Sequence, residues 1–407
     1  MNEHEGNSNT PFPPRGEACF RQGDGLALDR YTHKDGKRLR LGFTTGTCAA
    51  LAARAAARMF LSGRCETTTA IDTPKGIRIE AEVVDAHIGP GAASCAVRKD
   101  AGDDPDCTDG ILVYATVSPV GDAGIIVDGG RGVGRVTMNG LDQPIGAAAI
   151  NSVPRRMIAE AVSEVRDELG YAGGLRVEIA IPDGEAIAVR TFNPKLGIVG
   201  GLSIIGTSGI VEPMSDRAIV DTIAVEMRMV RADGIADLIL TPGNYGESFI
   251  ASQRDLAAQR YVKCSNYLGE ALDLASELSF ESVVVVGHIG KLIKVAGGVM
   301  NTHSRVADCR LDLLALHAGL AGADVDTMRL VMACPTVDAG LDVLDVRGLA
   351  EASLTGLLRR IDHYLTERVG NALSVGAVVF SNRSNLTRAS DNALAILEEW
   401  NHNHEKR

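Results

Sequence analysis

After Pro194 the chain settles into a regular alternation of short apolar runs and helical patterns, and this rhythm constrains the fold more than any other feature. Leu238-Ile239-Leu240, Tyr261 to Cys264 and Val283 to Val286 read as strands, most of them apolar throughout. Helical patterns lie between them. Ser215 stands as a cap before Ile219, Ile223, Met227 and Val230 at helical spacing, and Ser248 to Gln259, Leu268 to Leu278 and Leu292 to Ala296 follow. Strands apolar on both faces, separated by helices, belong to a parallel sheet covered on both sides. The expectation is a doubly wound α/β domain over 196–407 with C-terminal helices. Gly197 to Ile205 is its first buried strand, Ala377 to Phe380 its last, and Asn392 to Trp400 a closing helix.

Upstream the pattern is different. An alanine-rich stretch predicts a helix from Thr47 to Leu61, with Thr44, Thr45 or Thr47 supplying the N-cap hydroxyl. Alternating apolar residues then predict strands around 77–83, 111–117 and 125–127, a helix from Pro154 to Leu169, and a hairpin over 177–189 turning at Pro182-Asp183-Gly184. Many strands with few helices mean an α+β domain with a mainly antiparallel sheet over 38–195. Residues 1–37 are polar and proline-containing and read as a flexible tail.

Composition narrows the function. The 407 residues carry 41 Lys and Arg against 52 Asp and Glu, a formal charge of −11, which argues against a broad surface for nucleic acid or anionic lipid. Aromatic residues are only 4%, too few for a single-strand stacking platform. No apolar stretch approaches the roughly 18 residues of a membrane span, and Met1 to Phe20 contain no apolar run of the kind a secretory signal needs. The eight cysteines form no CxxC pair and no close cysteine–histidine spacing, so neither a structural zinc site nor a disulfide framework is indicated. Reduced thiols in a cytoplasm fit best. A soluble, acidic protein that handles small molecules is the expectation.

In an open parallel sheet, ligands bind beyond the carboxyl ends of the strands. Two segments there stand out: Thr241-Pro242-Gly243-Asn244-Tyr245-Gly246 and Gly287-His288-Ile289-Gly290-Lys291. Glycine lets a backbone approach a ligand, and the helix that follows offers free N–H groups to an anion. The alternative is a pair of ordinary strand-to-helix turns. Neither segment is a nucleotide fingerprint. Gly130-Arg131-Gly132-Val133-Gly134 stands in a strand context rather than at a helix start, which leaves it as an anion nest at most. Asp103-Asp104-Pro105-Asp106, with Asp100 and Asp109 nearby, is either a solvated acidic turn, a cation site, a partner for a cationic ligand or a proton-sharing carboxylate pair. His288 and His303 are candidates for proton handling. Lys195, Lys263, Lys291, Lys294, Arg155 and Arg156 are the cations that would draw an anionic ligand to an acidic chain. Cys48 and Cys264 read as packing residues rather than nucleophiles, for want of a paired base.

Ten segments, in order, resemble the cobalt-precorrin-5B C(1)-methyltransferase family of anaerobic cobalamin biosynthesis. They are Gly42-Phe-Thr-Thr-Gly-Thr-Cys-Ala-Ala50, Ala101-Gly-Asp-Asp-Pro-Asp106, Gly132-Val-Gly-Arg-Val-Thr137, Val153-Pro-Arg-Arg-Met157, Asn193-Pro-Lys-Leu-Gly-Ile-Val-Gly-Gly201, Gly209-Ile-Val-Glu-Pro-Met-Ser215, Thr241-Pro-Gly-Asn-Tyr-Gly246, Lys263-Cys-Ser-Asn266, Gly287-His-Ile-Gly-Lys291 and Asn301-Thr-His-Ser304. Each is weak alone, and the ordered set is specific. The resemblance is dense over residues 40–310 and fades beyond. Arg131, Cys107, Asp109 and Ser152 depart from the family pattern, so no direct catalytic role is assigned to them.

The resemblance implies S-adenosyl-methionine as methyl donor and an anionic cobalt-tetrapyrrole as substrate, with cobalt belonging to the substrate and no protein metal ligands. It implies Lys263, Lys291, Lys294, Arg155, Arg156 and Asn266 as substrate-binding residues. Thr241, Gly243, Asn244, Tyr245, Gly246, Gly287 and Gly290, with the acidic Asp103 and Glu212, would hold the donor. His288, His303 and Asp104 would carry proton handling or polarisation. The cleft between domains is the expected meeting place. Assembly into a homo-oligomer and transient contacts with other enzymes of the pathway are the partner expectations, with neither nucleic acid nor membrane. A non-catalytic carrier of a tetrapyrrole intermediate, or an unrelated α/β transferase acting on a polycarboxylate, would use the same loops.

Overall fold

A computed structural model describes residues 28–121, 123–257, 259–381 and 386–405. The expected tail therefore lies outside the described residues up to position 27, but Tyr31–Lys34 and Lys37–Arg40 form an antiparallel hairpin, so order begins earlier than expected. The chain divides into two compact units, one ending at Ser215 and the other starting at Asp216.

The first unit is built on a five-stranded sheet of β1 (Val84–Ile88), β2 (Ala93–Arg98), β3 (Leu112–Val120), β4 (Ile125–Gly129) and β5 (Gly174–Ala180). The strand order is β1-β2-β3-β5-β4, antiparallel throughout except for the β5–β4 pair. Two helices, α1 (Thr45–Ser62) and α2 (Ser152–Glu168), pack on each other and on one face of this sheet. Alternate residues Val113, Ala115, Val117, Leu175, Val177 and Ile179 turn into that core, and their neighbours face outward, as a half-covered antiparallel sheet requires. The many alanines of α1 make it thin enough to be buried along most of its length, and Thr44 caps it by accepting from the Thr47 N–H at 3.2 Å.

Two expectations fail in this unit. The residues after Ile181 do not return as a hairpin strand. Gly184–Ala188, which carries Glu185, Ala186 and Ala188 as good helix formers, is a short helix, and Val189 is exposed. Residues 197–205 do not open the second domain either. Ile198–Val199 pairs antiparallel with Arg135–Val136, and Gly201–Leu202 pairs parallel with Gly132–Val133, so this stretch completes the first unit.

The second unit carries β6 (Asp237–Thr241), β7 (Tyr261–Lys263), β8 (Ser282–His288), β9 (Ser374–Ser381) and β10 (Leu386–Ala389) in the order β7-β6-β8-β9-β10. The first four are mutually parallel, and β10 runs antiparallel at the edge. Successive residues enter opposite cores. Leu238, Leu240, Val283, Val285 and Val379 pack on one side, while Ile239, Val284, Val286 and Phe380 pack on the other with Ile250, Ile396 and Trp400. This explains why the strands read as unbroken apolar runs. At the foot of the sheet, the Trp400 indole donates to Ser282 Oγ at 2.7 Å, so its buried N–H is satisfied.

The longer helices of this unit are α3 (Asp216–Ala232), α4 (Asn244–Ser252), α5 (Leu268–Glu277), α7 (Arg310–Leu320), α8 (Val325–Met332), α9 (Val337–Asp345), α10 (Ala350–Val369) and α11 (Asp391–Glu405); the four-residue helices Arg254–Ala257 and α6 (Ile289–Leu292) and a 3-10 turn at Ile293–Gly297 complete the described set. The sequence reading places none of α7 to α10. In α7 the reason is visible: Leu314, Ala315 and Ala318 are buried while Leu316 and Leu320 are exposed, so apolar residues run round the helix without a clean stripe.

Gly132 is the tightest backbone crossing in the first unit. Its φ is +73°, and an added Cβ would meet the Ile181 carbonyl oxygen at 1.8 Å. The Gly130–Gly134 run is thus a packing node rather than an anion nest. Gly132→Ala should destabilise the protein by about 2 kcal/mol or more, or prevent folding, as measured by urea denaturation. A stability equal to the parent would overturn this account.

Candidate active site at the carboxyl edge of the parallel sheet

The parallel register of β6 and β8 brings their carboxyl ends side by side, and β7 and β9 flank them. The two glycine-bearing segments are therefore neighbours. Each is shorter as a loop than expected, because Asn244-Tyr245-Gly246 already forms the first turn of α4 and Ile289-Gly290-Lys291 lies in α6. Gly243 provides the left-handed turn between β6 and α4, with φ +105°.

Polar side chains converge on this edge. Lys263, at the end of β7, donates to Asn244 Oδ1 at 3.1 Å and pairs with Glu247 at 3.3 Å. Lys291 donates to Asn266 Oδ1 at 3.1 Å, and Thr302 Oγ1 donates to the same oxygen at 3.2 Å. Partial burial lowers the Lys291 pKa from its ordinary value. The neighbouring Lys294 pushes the same way, against an opposing contribution from Cys264. Lys294 itself is buried and donates to the Thr302 carbonyl at 2.9 Å, which makes it a strut beneath the site rather than a surface cation.

His288 closes β8 and caps α6. Its Nδ1 accepts from the Gly290 N–H at 3.1 Å, which places the ring proton on Nε2 in the neutral imidazole. Nε2 faces Asp338 Oδ2 at 3.8 Å, while Ser381 Oγ donates to Asp338 Oδ1 at 2.5 Å. Phe380 holds the ring edge-on, with centroids 5.7 Å apart. Sequence reasoning missed Asp338 and Ser381. Asp338 sits in the first turn of α9 behind the Thr336 cap, and a cap signature alone does not reveal which strand a helix start adjoins. Tyr245 lies beside His288 and is largely exposed. His303 stays exposed in the segment after Thr302, its Nδ1 accepting from the Arg305 N–H. Thr241 is fully buried, with Oγ1 against Gly246 and without a hydrogen-bond partner. Gly287 packs against Leu292 and Pro242.

The remaining candidates lie in the first unit and are engaged there. Asp103 accepts from the Arg40 N–H at 2.6 Å, Asp104 from the Met214 N–H at 2.8 Å, Asp109 from the Ala101 N–H at 2.8 Å, and Asp106 pairs with the buried Lys99 at 2.6 Å. Asp100 forks with the Arg40 guanidinium. The acidic cluster is therefore a hydrogen-bonded turn. Among the described residues no group of three or more His, Cys, Asp or Glu could hold a metal ion. Glu212 pairs with Lys75. Arg155 donates to the carbonyls of Val127, Ala148 and Ile150, and Arg156 pairs with Glu160 at 3.8 Å on the exposed side of α2. All eight of these residues, the five aspartates from Asp100 to Asp109, Glu212 and the two arginines, belong to the first unit. No described helix is long and apolar enough to cross a membrane.

Comparison with known proteins identifies the lineage. Residues 32–213 match the CbiD family model and residues 301–391 match the model of the CbiD C-terminal domain. A protein of Ruminiclostridium cellulolyticum named cobalt-precorrin-5B C(1)-methyltransferase is 43% identical over 87% of this chain and 92% of its own length. This chain belongs to the CbiD family. A protein of the same name from Edwardsiella ictaluri is 41% identical over 92% of this chain and 98% of its own length, and one from Alkaliphilus oremlandii is 46% identical over 80% and 89%. A crystal structure of the cobalamin biosynthesis protein CbiD from Archaeoglobus fulgidus is 29% identical, covering 68% of this chain and 86% of its own, with a TM-score of 0.36.

The cysteines of this CbiD family member bear on reactivity. Burial pushes the thiols of Cys48, Cys95 and Cys264 up to about 12, so none is a thiolate near neutrality. Cys107 is exposed. Cys65 is disulfide-bonded, which departs from the expectation of reduced thiols throughout. Iodoacetamide at about pH 8 should label Cys107 well before Cys48, Cys95 or Cys264, as read by peptide mass spectrometry. Fast labelling of Cys48 or Cys264 would overturn the packing reading.

Proposed function

We propose that this chain methylates carbon 1 of cobalt-precorrin-5B with S-adenosyl-methionine as donor, at the carboxyl edge of the second unit's sheet. The observation that carries the activity is 40–46% identity, over 79–92% of the chain, to proteins named cobalt-precorrin-5B C(1)-methyltransferase. The location rests on the convergence of Lys263, Lys291, His288 and Asp338 at that edge.

The residues suit a ligand pair of mixed charge. S-adenosyl-methionine bears a carboxylate and a sulfonium, and when bound it supplies an electrophilic methyl group. Lys291 is the cation for a carboxylate, and Asp338 Oδ2 is the carboxylate oxygen with capacity left for a positive charge. Asp338 takes the role expected of Asp103, Asp104 and Glu212. Lys263 adds a second cation for the acidic side chains of the tetrapyrrole. The cobalt is carried by the substrate.

With an activated donor and an electron-rich acceptor carbon, the protein's largest contribution is alignment, a term of roughly 7 to 11 kcal/mol for well-placed reactants. Proton handling falls to His288, whose ring is held by the Gly290 N–H at Nδ1 and by the edge-on Phe380, with Nε2 facing Asp338 Oδ2 at 3.8 Å. His288→Ala should lower turnover by about tenfold or more while leaving the circular dichroism spectrum unchanged. Unchanged turnover would remove His288 from the chemistry.

Isothermal titration with S-adenosyl-methionine, and separately with S-adenosyl-homocysteine, tests the donor. We expect saturable one-site binding of both. A carrier of tetrapyrroles has no use for the donor, so absence of binding that persists with the tetrapyrrole present would overturn the enzymatic reading.

A further inference from the structure

We propose that Asn266 is a positioning residue whose side-chain oxygen holds the Lys291 ammonium over Gly243 as the carboxylate anchor of the site. The sequence placed Asn266 among the residues that touch substrate, and its contacts point elsewhere. An ammonium only donates, so the Asn266 oxygen must face Lys291, and Thr302 Oγ1 uses the same oxygen. Asn266 is fixed by its backbone as well, since its carbonyl accepts from the Thr302 N–H at 2.9 Å. Thr302 is buried and is held in turn by Lys294 Nζ at its own carbonyl.

The placement of Lys291 has a purpose that its neighbours do not satisfy. Lys263 is matched by Glu247 and Lys99 by Asp106, whereas Lys291 makes no ion pair among the described residues. Its Nζ would lie 3.2 Å from a Cβ on Gly243, so it rests over the turn that opens α4. The titratable groups that act on it are Cys264, whose thiol burial keeps neutral, and Lys294, a like charge. A part-buried cation with one neutral acceptor and two unused protons gains a charge-assisted hydrogen bond from a carboxylate. That carboxylate belongs either to the methyl donor or to an acidic side chain of the macrocycle. The identity of the ligand rests on the methyltransferase reading, while the geometry does not.

Asn266→Asp tests this, because it is isosteric. It keeps an oxygen for Lys291 and another acceptor for Thr302, and it adds a negative charge beside the ammonium. A purely structural Asn266 predicts unchanged ligand binding. We expect the affinity for the carboxylate-bearing ligand to fall by about tenfold or more. We also expect the Lys291 titration midpoint, read by competitive acylation and peptide mass spectrometry, to rise by about one pH unit or more, since an adjacent anion favours the charged amine. If the donor supplies the carboxylate, S-adenosyl-homocysteine binds more weakly and its decarboxylated analogue does not. If the tetrapyrrole supplies it, S-adenosyl-homocysteine binds as before and KM for cobalt-precorrin-5B rises. Lys291→Met, which removes the ammonium and keeps the stem, should weaken the same ligand and serves if the Asp variant does not fold. Unchanged affinities in both variants, or an unmoved Lys291 midpoint in Asn266→Asp, would overturn the proposal. A wild-type chain without methyl transfer would remove the functional reading, and the Lys291 midpoint would still decide the role of Asn266.

Discussion

Parallel pairing of β6 with β8 is the constraint on which the candidate site depends. Leu238 lies opposite Val283 and Leu240 opposite Val285, which fixes where both strands end. Because side chains alternate with a period of two, a one-residue slip would exchange the two cores and is forbidden by burial on both faces. The same register puts Gly243 under Lys291 and sets His288 beside Phe380. Apolar burial in the sheet thus determines where the polar edge lies.

A second layer of control lies in how each polar group is occupied. At this edge, groups that appear free in the sequence are spent on one another. His288 uses Nδ1 on Gly290 and turns Nε2 to Asp338, and Asn266 uses its oxygen on Lys291 and Thr302. What is left over defines the chemistry available: two protons on Lys291, and one oxygen of Asp338 more than a hydrogen-bond length from its neighbour. In the first unit the accounting comes out differently. Arg155 spends its guanidinium on three carbonyls, and each carboxylate from Asp100 to Asp109 has a backbone or ion-pair partner.

The sheet of the second unit was legible in the sequence because an apolar run of five or so residues between helical patterns has few other solutions. The position of the two glycine-bearing segments at the carboxyl edge was legible for the same reason, as they follow those strands. The boundary near 195 was not. Residues 198–202 pair through two-residue ladders with Arg135, Val136, Gly132 and Val133, and contacts of that length across some sixty residues leave no periodic trace. Nor were α7 to α10 legible, for their apolar residues serve more than one neighbour.

The limits are sharper for the site than for the fold. Asp338 and Ser381 lie about fifty and ninety residues beyond His288 in the chain, and only the pairing of β8 with β9 and the docking of α9 bring them to it. Conversely, Asp103, Asp104 and Glu212 have the right chemistry for a cationic ligand, and their backbone and lysine partners leave them as structural carboxylates. Residue type names what a side chain is able to do. Whether its donors and acceptors are still free depends on tertiary neighbours, and a buried or paired group contributes to binding only after those neighbours give way, at a cost of about 1 to 3 kcal/mol for each hydrogen-bonding group left unmade. That cost favours ligand contact through Lys291 and Asp338, which keep unused capacity, over contact through groups already satisfied.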